Sequence, residues 1–403
     1  MSGEMKKIGF VIPWYGPDIP GGAEAALRGL VEHLQQAGVP VEVLTTRVKE
    51  FTADWNQNYY PAGVEMVHQV PVRRFDVRVR DQAAFEQINR KFMNGLPVAY
   101  EEEEVFLREM VNSPALYEYM KTHADDYSLF VFTPYMFGTT YYGVQAVMDK
   151  AVMIPCFHDE SYTYMEHFRE VFSRVQGMIF LAAPEGELAE RVYDTAHVEK
   201  AVLGTGIYTD FAGDAARFRQ KYHMDKPYLL YAGRKDVGKN IYTLIAYYRE
   251  YVKRHDTQLQ LVLIGGGEVK LPEDIRDRVH DLGFVPAQDK YDAYAAAECF
   301  CNPSHNESFS IVIMESWLCG RPVLVSGECA VTKNFAITSG GGLYFDGYYE
   351  FEGAMEYLRT HPDIADSMGQ NGREYVLEHF SWDAIVRNYM SFFNKLLKKS
   401  TQE

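Results

Sequence analysis

Short apolar runs recur along the chain, each closed by glycine, proline or polar residues, and several are separated by stretches with a helical period. Residues 6–12 form the first run and 39–45 the second, with a helical pattern over 23–36 between them. Strand, helix, strand in that order predicts the βαβ opening of a doubly wound α/β domain. Further strands are expected at 130–134, 153–157 and 178–182. The pattern restarts after Leu203-Gly204-Thr205-Gly206-Ile207-Tyr208, the expected hinge. Runs at 228–232, 259–264, 282–285, 299–302 and 322–326 then alternate with helical stretches, which implies a second parallel sheet with covering helices. The chain reads as helical from about Ala365, and Ser381-Trp382-Asp383 opens a last long amphipathic helix.

Residues 50–126 fit this scheme least. Val72, Phe75, Val77 and Val79 are interleaved with Arg73, Arg74, Arg78 and Arg80, a pattern that predicts an edge strand with a basic face. A solvated face explains those arginines; contact with an acceptor or an anionic lipid is the sharper alternative. The run Glu101 to Glu104 reads as a helix surface.

Bulk properties narrow the function classes. The 403 residues, 47% of them hydrophobic, suffice for two or three domains with sizeable cores. A net charge of −16 gives no basic excess to neutralise phosphates, so no nucleic-acid partner is expected. Five cysteines, odd in number and mostly inside apolar runs, read as buried thiols of a reducing compartment. Cys299 and Cys301 share one strand face, but no second cluster completes a zinc site. No long apolar span or signal peptide is visible, so a cytoplasmic protein is expected, with room for a peripheral contact at the inner face of the membrane.

Two stretches carry chemistry. The run at 299–302 ends in Asn302-Pro303-Ser304 and is followed by Glu307, Ser308, Phe309, Ser310, Ile311 and, eight residues beyond Glu307, Glu315. Ser308 or Ser310 would cap a helix whose free amides and dipole face outward, a site for an anion. Glu307 would lie in the turn and Glu315 about a turn and a half into the helix. Two acceptor-only side chains beside an anion site suit a ligand with both phosphate and hydroxyls, such as a nucleotide-sugar. Upstream, the run at 228–232 leads into Gly233-Arg234-Lys235-Asp236-Val237-Gly238-Lys239-Asn240. Glycine lets this loop approach a ligand, while Arg234 and Lys239 supply a donor fork and a point charge. A solvated basic loop is the plain alternative, weakened by the glutamate pair that follows.

Gly-Arg-x4-Lys-Asn after a strand, the glycine-rich strand end at 261–267 and Glu-x7-Glu at 307–315 resemble the retaining glycosyltransferases of family 4. The resemblance is continuous from about 228 to 382 and thins across 1–204. It implies a GT-B fold: two Rossmann-like doubly wound domains facing each other across a cleft. Residues 1–204 would form the acceptor-side domain, with 50–126 as its variable part, and 205–380 the nucleotide-sugar domain. The helix 381–403 would cross back onto the first domain. The resemblance also assigns positions. Gly21 and Gly22 would face donor phosphates and acceptor, although an ordinary glycine turn explains them equally. His158, after the run at 153–157, would touch the transferred sugar or the reacting centre; Asp159 and Glu160 are weaker candidates. Val285, in Gly283-Phe284-Val285-Pro286, would lie against the base through its backbone. Tyr208 stands where an acid is common, which leaves no clear hinge acid.

The charges suggest a mechanism. Arg234, Lys239 and the amides near Phe309, Ser310 and Ile311 would stabilise the leaving diphosphate, Glu315 would take ribose hydroxyls, and Glu307 hydroxyls of the transferred hexose. By the resemblance the leaving phosphate accepts the acceptor proton and configuration is retained; no carboxylate nucleophile for a double displacement is evident. No Asp-x-Asp motif stands at a strand end, so neither metal nor cofactor is expected. The donor would be UDP- or GDP-linked, and the acceptor a glycan, growing polysaccharide, lipid-linked or small-molecule hydroxyl. A GT-B nucleotide-sugar epimerase and a catalytically silent glycan-binding module are the rivals. A dehydrogenase is disfavoured because the first turn lacks Gly-x-Gly-x-x-Gly. Oligomeric state is left open.

Overall fold

The computed structural model describes residues 6–19 and 21–400, without the side chain of Ser400. The chain divides into two compact units, Met1–Gly206 with Trp382–Glu403, and Ile207–Ser381.

In the first unit, strands β1 (Lys7–Ile12), β2 (Val41–Thr46), β3 (Gly63–Val67), β4 (Val70–Phe75), β5 (Tyr127–Phe132), β6 (Ala151–Met153), β7 (Gly177–Phe180) and β8 (Glu199–Val202) make one sheet in the order β3-β4-β2-β1-β5-β6-β7-β8. All neighbours are parallel except β3 and β4. Five of the six β1 residues are buried, as expected for a parallel strand covered on both faces. Gly9 allows β1 to lie close to β5, since a Cβ there would stand 2.8 Å from the Phe130 ring. The helix Gly22–Gln36 packs on the sheet at β2 and β4 and buries Leu27, Leu30, Val31 and Leu34.

The last helix, Trp382–Ser400, completes this unit. Its Trp382 ring fits against Gly29 and Gly206, where added Cβ atoms would meet the indole at 2.3 and 2.1 Å, and it stacks on His33. Tyr389 Oη donates to Gly204 O at 2.9 Å, and Lys395 pairs with Glu199.

The second unit holds β9 (Tyr228–Ala232), β10 (Gln260–Ile264), β11 (Val279–Gly283), β12 (Cys299–Asn302), β13 (Val323–Ser326) and β14 (Gly342–Phe345). They form an all-parallel sheet, β11-β10-β9-β12-β13-β14. Strand order reverses between β1 and β5 in the first sheet and between β9 and β12 in the second. At such switch points the connections leave toward opposite sides and open a crevice at the carboxyl ends of the strands. The fold class is therefore the expected one: two doubly wound parallel sheets with covering helices.

Several local expectations need correction. The strand expected at 72–80 ends at Phe75 and is internal, since the polar, exposed β3 pairs antiparallel outside it and forms the edge. Its arginines do not make an open basic face. Arg73 pairs with Glu42 at 2.8 Å and Arg78 with Glu109 at 2.9 Å. Arg74 is buried, pairs with Glu65 and lies 3.9 Å from the Tyr60 ring centroid. The Arg80 guanidinium lies over the rings of Trp55 and Phe85, 4.4 and 4.8 Å from their centroids. The hydrogen bonds from Arg78 lead the interactions that overcome burial and hold the Glu109 carboxyl down at about 2. The glutamate run is not wholly surface either. Glu103, on helix Tyr100–Glu109, is buried and accepts from His167 Nδ1 at 3.0 Å and from the amides of Glu166 and His167. The strand expected at 153–157 stops at Met153, because Pro155 has no N–H and Cys156 turns left-handed (φ 58°). The strand expected at 282–285 spans Val279–Gly283 and ends where Gly283 adopts φ 62°.

Candidate active site

In the second unit, the β9/β12 switch point gathers both motifs. Gly233 follows β9 directly and its N–H donates to Ile264 O at 2.9 Å; the Lys235 N–H donates to Gly266 O at 2.8 Å. These bonds lace the loop after β9 to the glycines after β10. Gly265 (φ 119°) is required here twice over: the backbone is left-handed, and a Cβ would stand 2.1 Å from Gly233 O. Lys235, which the motif reading passed over, is buried and paired with Asp281.

Arg234 stays open. Its side chain is 67% exposed and its nearest acid is Asp236, with Nε 3.4 Å from Oδ2. Lys239 extends toward the loop after β12, where Nζ meets Glu307 Oε1 at 2.8 Å. Asn240, left-handed at φ 54°, joins the same loops by donating from Nδ2 to Pro303 O at 3.0 Å. The two sequence motifs, 68 residues apart at Lys239 and Glu307, thus meet in one place.

The β12 side is held by Asn302, a residue sequence reasoning did not single out. Its Nδ2 donates to Ser310 Oγ at 2.9 Å and stands 3.4 Å from Glu307 Oε1. Ser310 occupies the N-cap position of helix Ile311–Leu318 but does not cap with its side chain; its backbone is left-handed at φ 74°. A non-glycine residue held there stores strain, a feature common at ligand-facing turns. The Phe309 side chain is buried edge-on against Phe335 and Phe380, which anchors the turn. The Ile313 N–H donates to Ser310 O at 3.2 Å, and the Ile311 and Val312 amides before it lie in the first turn, at the positive end of the helix dipole. Further along, Glu315 is buried, takes Lys290 Nζ on Oε1 at 2.6 Å, and faces Tyr294 Oη at 3.3 Å from Oε2. Lys290 and Tyr294 were also missed. Helix Ala287–Ala296 gives no motif signal for them.

Val285 is half-buried just past β11. Its neighbour Phe284 is 87% exposed, with its ring lying over Gly266, where a Cβ would stand 2.7 Å away.

The remaining sequence-predicted residues belong to the first unit. Gly21 (φ 137°) precedes helix Gly22–Gln36, and a Cβ on it would collide with Glu24 Oε2 at 2.0 Å. Glu24 is itself fixed by the Trp14 Nε1–H at 2.6 Å. Around Gly22, by contrast, the Cβ direction is open. His158 lies beyond β6 with its side chain 31% exposed and Nδ1 3.5 Å from Glu160 Oε1. Tyr135 Oη also donates to Glu160, at 2.9 Å. Burial raises the Glu160 carboxyl, but His158 and Tyr135 outweigh it and hold it below the usual range. Glu160, ranked below His158 from sequence, is therefore its partner. Asp159 instead binds Arg191 and Tyr164 on the surface.

Among the described residues no cluster of histidine, cysteine or acidic side chains is arranged to hold a metal ion, and no helix is long and apolar enough to cross a membrane. All five cysteines are free, and burial pushes the Cys299 and Cys301 thiols up.

Residues 226–346 match the family described as glycosyl transferases group 1. The chain is 26% identical over 225 residues to a D-inositol 3-phosphate glycosyltransferase of Gordonia bronchialis, covering 51% of this chain and 48% of that protein. It spans about half the length of the curated relatives it matches. A sucrose-phosphate synthase from Thermosynechococcus elongatus has the same fold, with a TM-score of 0.71 at 19% identity over 98% of this chain and 100% of that one. So does HepE of Anabaena, solved in complex with UDP-glucose, with a TM-score of 0.66 at 15% identity over 97% of this chain and 100% of that one. The matched segment contains both the loop after β9 and the Glu307–Glu315 stretch, so this part of the chain is similar to the group 1 glycosyltransferases, and the two doubly wound sheets have the GT-B fold of those solved structures.

Proposed function

We propose that the protein transfers a hexose from a nucleoside-diphosphate sugar, UDP-linked in preference to GDP-linked, to an acceptor hydroxyl, with retention and without a metal ion. The observation that carries this reading is the convergence of Arg234, Lys239, Glu307 and the N-terminus of helix Ile311–Leu318 at the β9/β12 switch point. Breaking the sugar–phosphate bond leaves negative charge on the diphosphate. Arg234 offers an open guanidinium, Lys239 a point charge, and the first-turn amides fixed dipoles, all where that charge develops.

Glu307 pairs with Lys239 and has remaining lone pairs for hydroxyls of the hexose. Glu315, fixed by Lys290 and Tyr294, has the same capacity toward ribose hydroxyls. His158, supported by Glu160, is assigned to the reacting centre, and Gly21 and Gly22 to the donor phosphates and acceptor. The leaving phosphate takes the acceptor proton, so no protein nucleophile is required. UDP is preferred because the HepE structure that shares the fold holds UDP-glucose. The acceptor is a glycan, lipid-linked or small-molecule hydroxyl, and free buried thiols favour a cytoplasmic setting.

Incubating the protein with UDP-glucose and a panel of hydroxyl acceptors in EDTA, and following the anomeric proton by NMR, tests the proposal. An α-linked product with release of UDP supports it. Inversion at the anomeric carbon, metal-dependent turnover, or conversion of the donor to an epimer without acceptor would contradict it.

A further inference from the structure

Glu185 lies in the first turn of helix Ala183–Val192 in the first unit and is 1% exposed. Its Oε1 accepts the N–H of Phe157 at 2.8 Å, and its Oε2 that of Leu181 at 2.6 Å. Leu181 follows β7 directly; Phe157 lies four residues past β6. One carboxyl group therefore ties together two neighbouring strand ends on the face where open α/β sheets present ligands. The bond to Leu181 is local and resembles ordinary support of a helix start. The bond to Phe157 spans 28 residues and does nothing for the helix. What it fixes is the chain immediately before His158.

The rest of that chain is pinned from the other side. Thr163 Oγ1 donates to His158 O at 2.6 Å, and the Glu160 N–H donates to the same carbonyl at 2.9 Å. Cys156, left-handed at φ 58°, leaves the preceding turn little freedom of its own. Titratable groups facing Glu185 are His158 past β6, the Cys156 segment through its backbone, and Tyr389 on the terminal helix. Among the described residues no lysine or arginine forms an ion pair with it.

We propose that Glu185 is a positioning residue for His158: its two backbone bonds set the 156–158 turn and thereby the place of the imidazole beside Glu160. This rests on the assignment of His158 to the reacting centre. Burial pushes the Glu185 carboxyl up to about 7, against the amide donors and His158, which lower it.

Histidine-selective 15N NMR on the full chain tests this, with the His158 signal assigned by its loss in His158→Gln. In the wild type the two ring-nitrogen shifts report the imidazole held beside Glu160. In Glu185→Gln, where one oxygen is replaced by an NH2 that cannot accept, those shifts should move and kcat should fall about 10- to 100-fold with donor KM within about twofold. A folded Glu185→Gln with the wild-type His158 shifts and kcat overturns the proposal. If His158→Gln turns over at the wild-type rate, the assignment of His158 to the reacting centre falls, while the 15N shifts still decide whether Glu185 positions it.

Discussion

Lys239 Nζ stands 2.8 Å from Glu307 Oε1, joining the loop after β9 to the loop after β12 across the strand-order reversal of the second sheet. Both side chains are largely shielded, at 26% and 12% exposure, so neither charge is freely solvated. A diphosphate entering here competes for Lys239 with a carboxylate already in place, and hexose hydroxyls compete for the carboxylate.

Removing the cation should therefore be felt in turnover. Lys239→Ala is expected to lower kcat by about 100-fold, the scale on which a charge-stabilising donor acts, with Lys239→Arg intermediate. Initial-rate measurement of UDP release checks this; an unchanged kcat in either variant contradicts it.

Gly265→Ala should cost both stability and donor binding. A Cβ would press on Gly233 O at 2.1 Å, and φ 119° is strained for alanine. The expected loss is about 1–3 kcal/mol, read from urea midpoints, together with at least about tenfold weaker UDP affinity. A variant with wild-type midpoint and affinity would show that the two loops are not held this closely.

Glu185 gives a pH signature of defined sign. Its carboxyl is raised from 4.5 to about 7 in the folded chain, so the folded state binds the proton more tightly than the unfolded one. Its contribution is fully present below about pH 4.5 and is lost as pH rises through about 7, amounting to about 3 kcal/mol. Wild type should lose stability relative to Glu185→Gln between pH 5 and 8, measured by chemical denaturation. Parallel pH profiles would contradict this.

The arginines at 73–80 are structural on this account. Arg74→Met should destabilise, because Glu65 and the Tyr60 face lose their partner. Arg73→Gln and Arg78→Gln together should leave sedimentation with phosphatidylglycerol vesicles unchanged. A loss of vesicle binding in that double variant would restore the membrane-contact reading.

Much of this architecture is legible in the sequence because parallel strands covered on both faces must be continuous apolar runs: β9 and β12 are wholly buried. The Glu307–Glu315 spacing and the Arg234–Lys239 loop were visible for a similar reason, lying directly after such runs. What stayed hidden depended on long-range pairing. Asn302, Lys290 and Tyr294 sit in segments with no motif, and their roles arise from partners 8, 25 and 21 residues away. The edge of the first sheet was misplaced because β3, with Gly63, Val64, Glu65 and Met66 exposed, carries no apolar alternation. For Phe309 the sequence pointed to the backbone amide alone; the packing of its ring against Phe335 and Phe380 depends on residues 26 and 71 positions away and left no local signal.

A thermal-shift titration with UDP, UDP-glucose, GDP and GDP-mannose in EDTA, on wild type, Arg234→Ala and Glu315→Ala, tests the central claim most directly. The account predicts stabilisation by uridine ligands without metal, reduced in Arg234→Ala and in Glu315→Ala while the unliganded melting temperature of Arg234→Ala stays at the wild-type value. No shift with any nucleotide at millimolar concentration, or an equal shift in all three proteins, would contradict a donor site at the β9/β12 switch point.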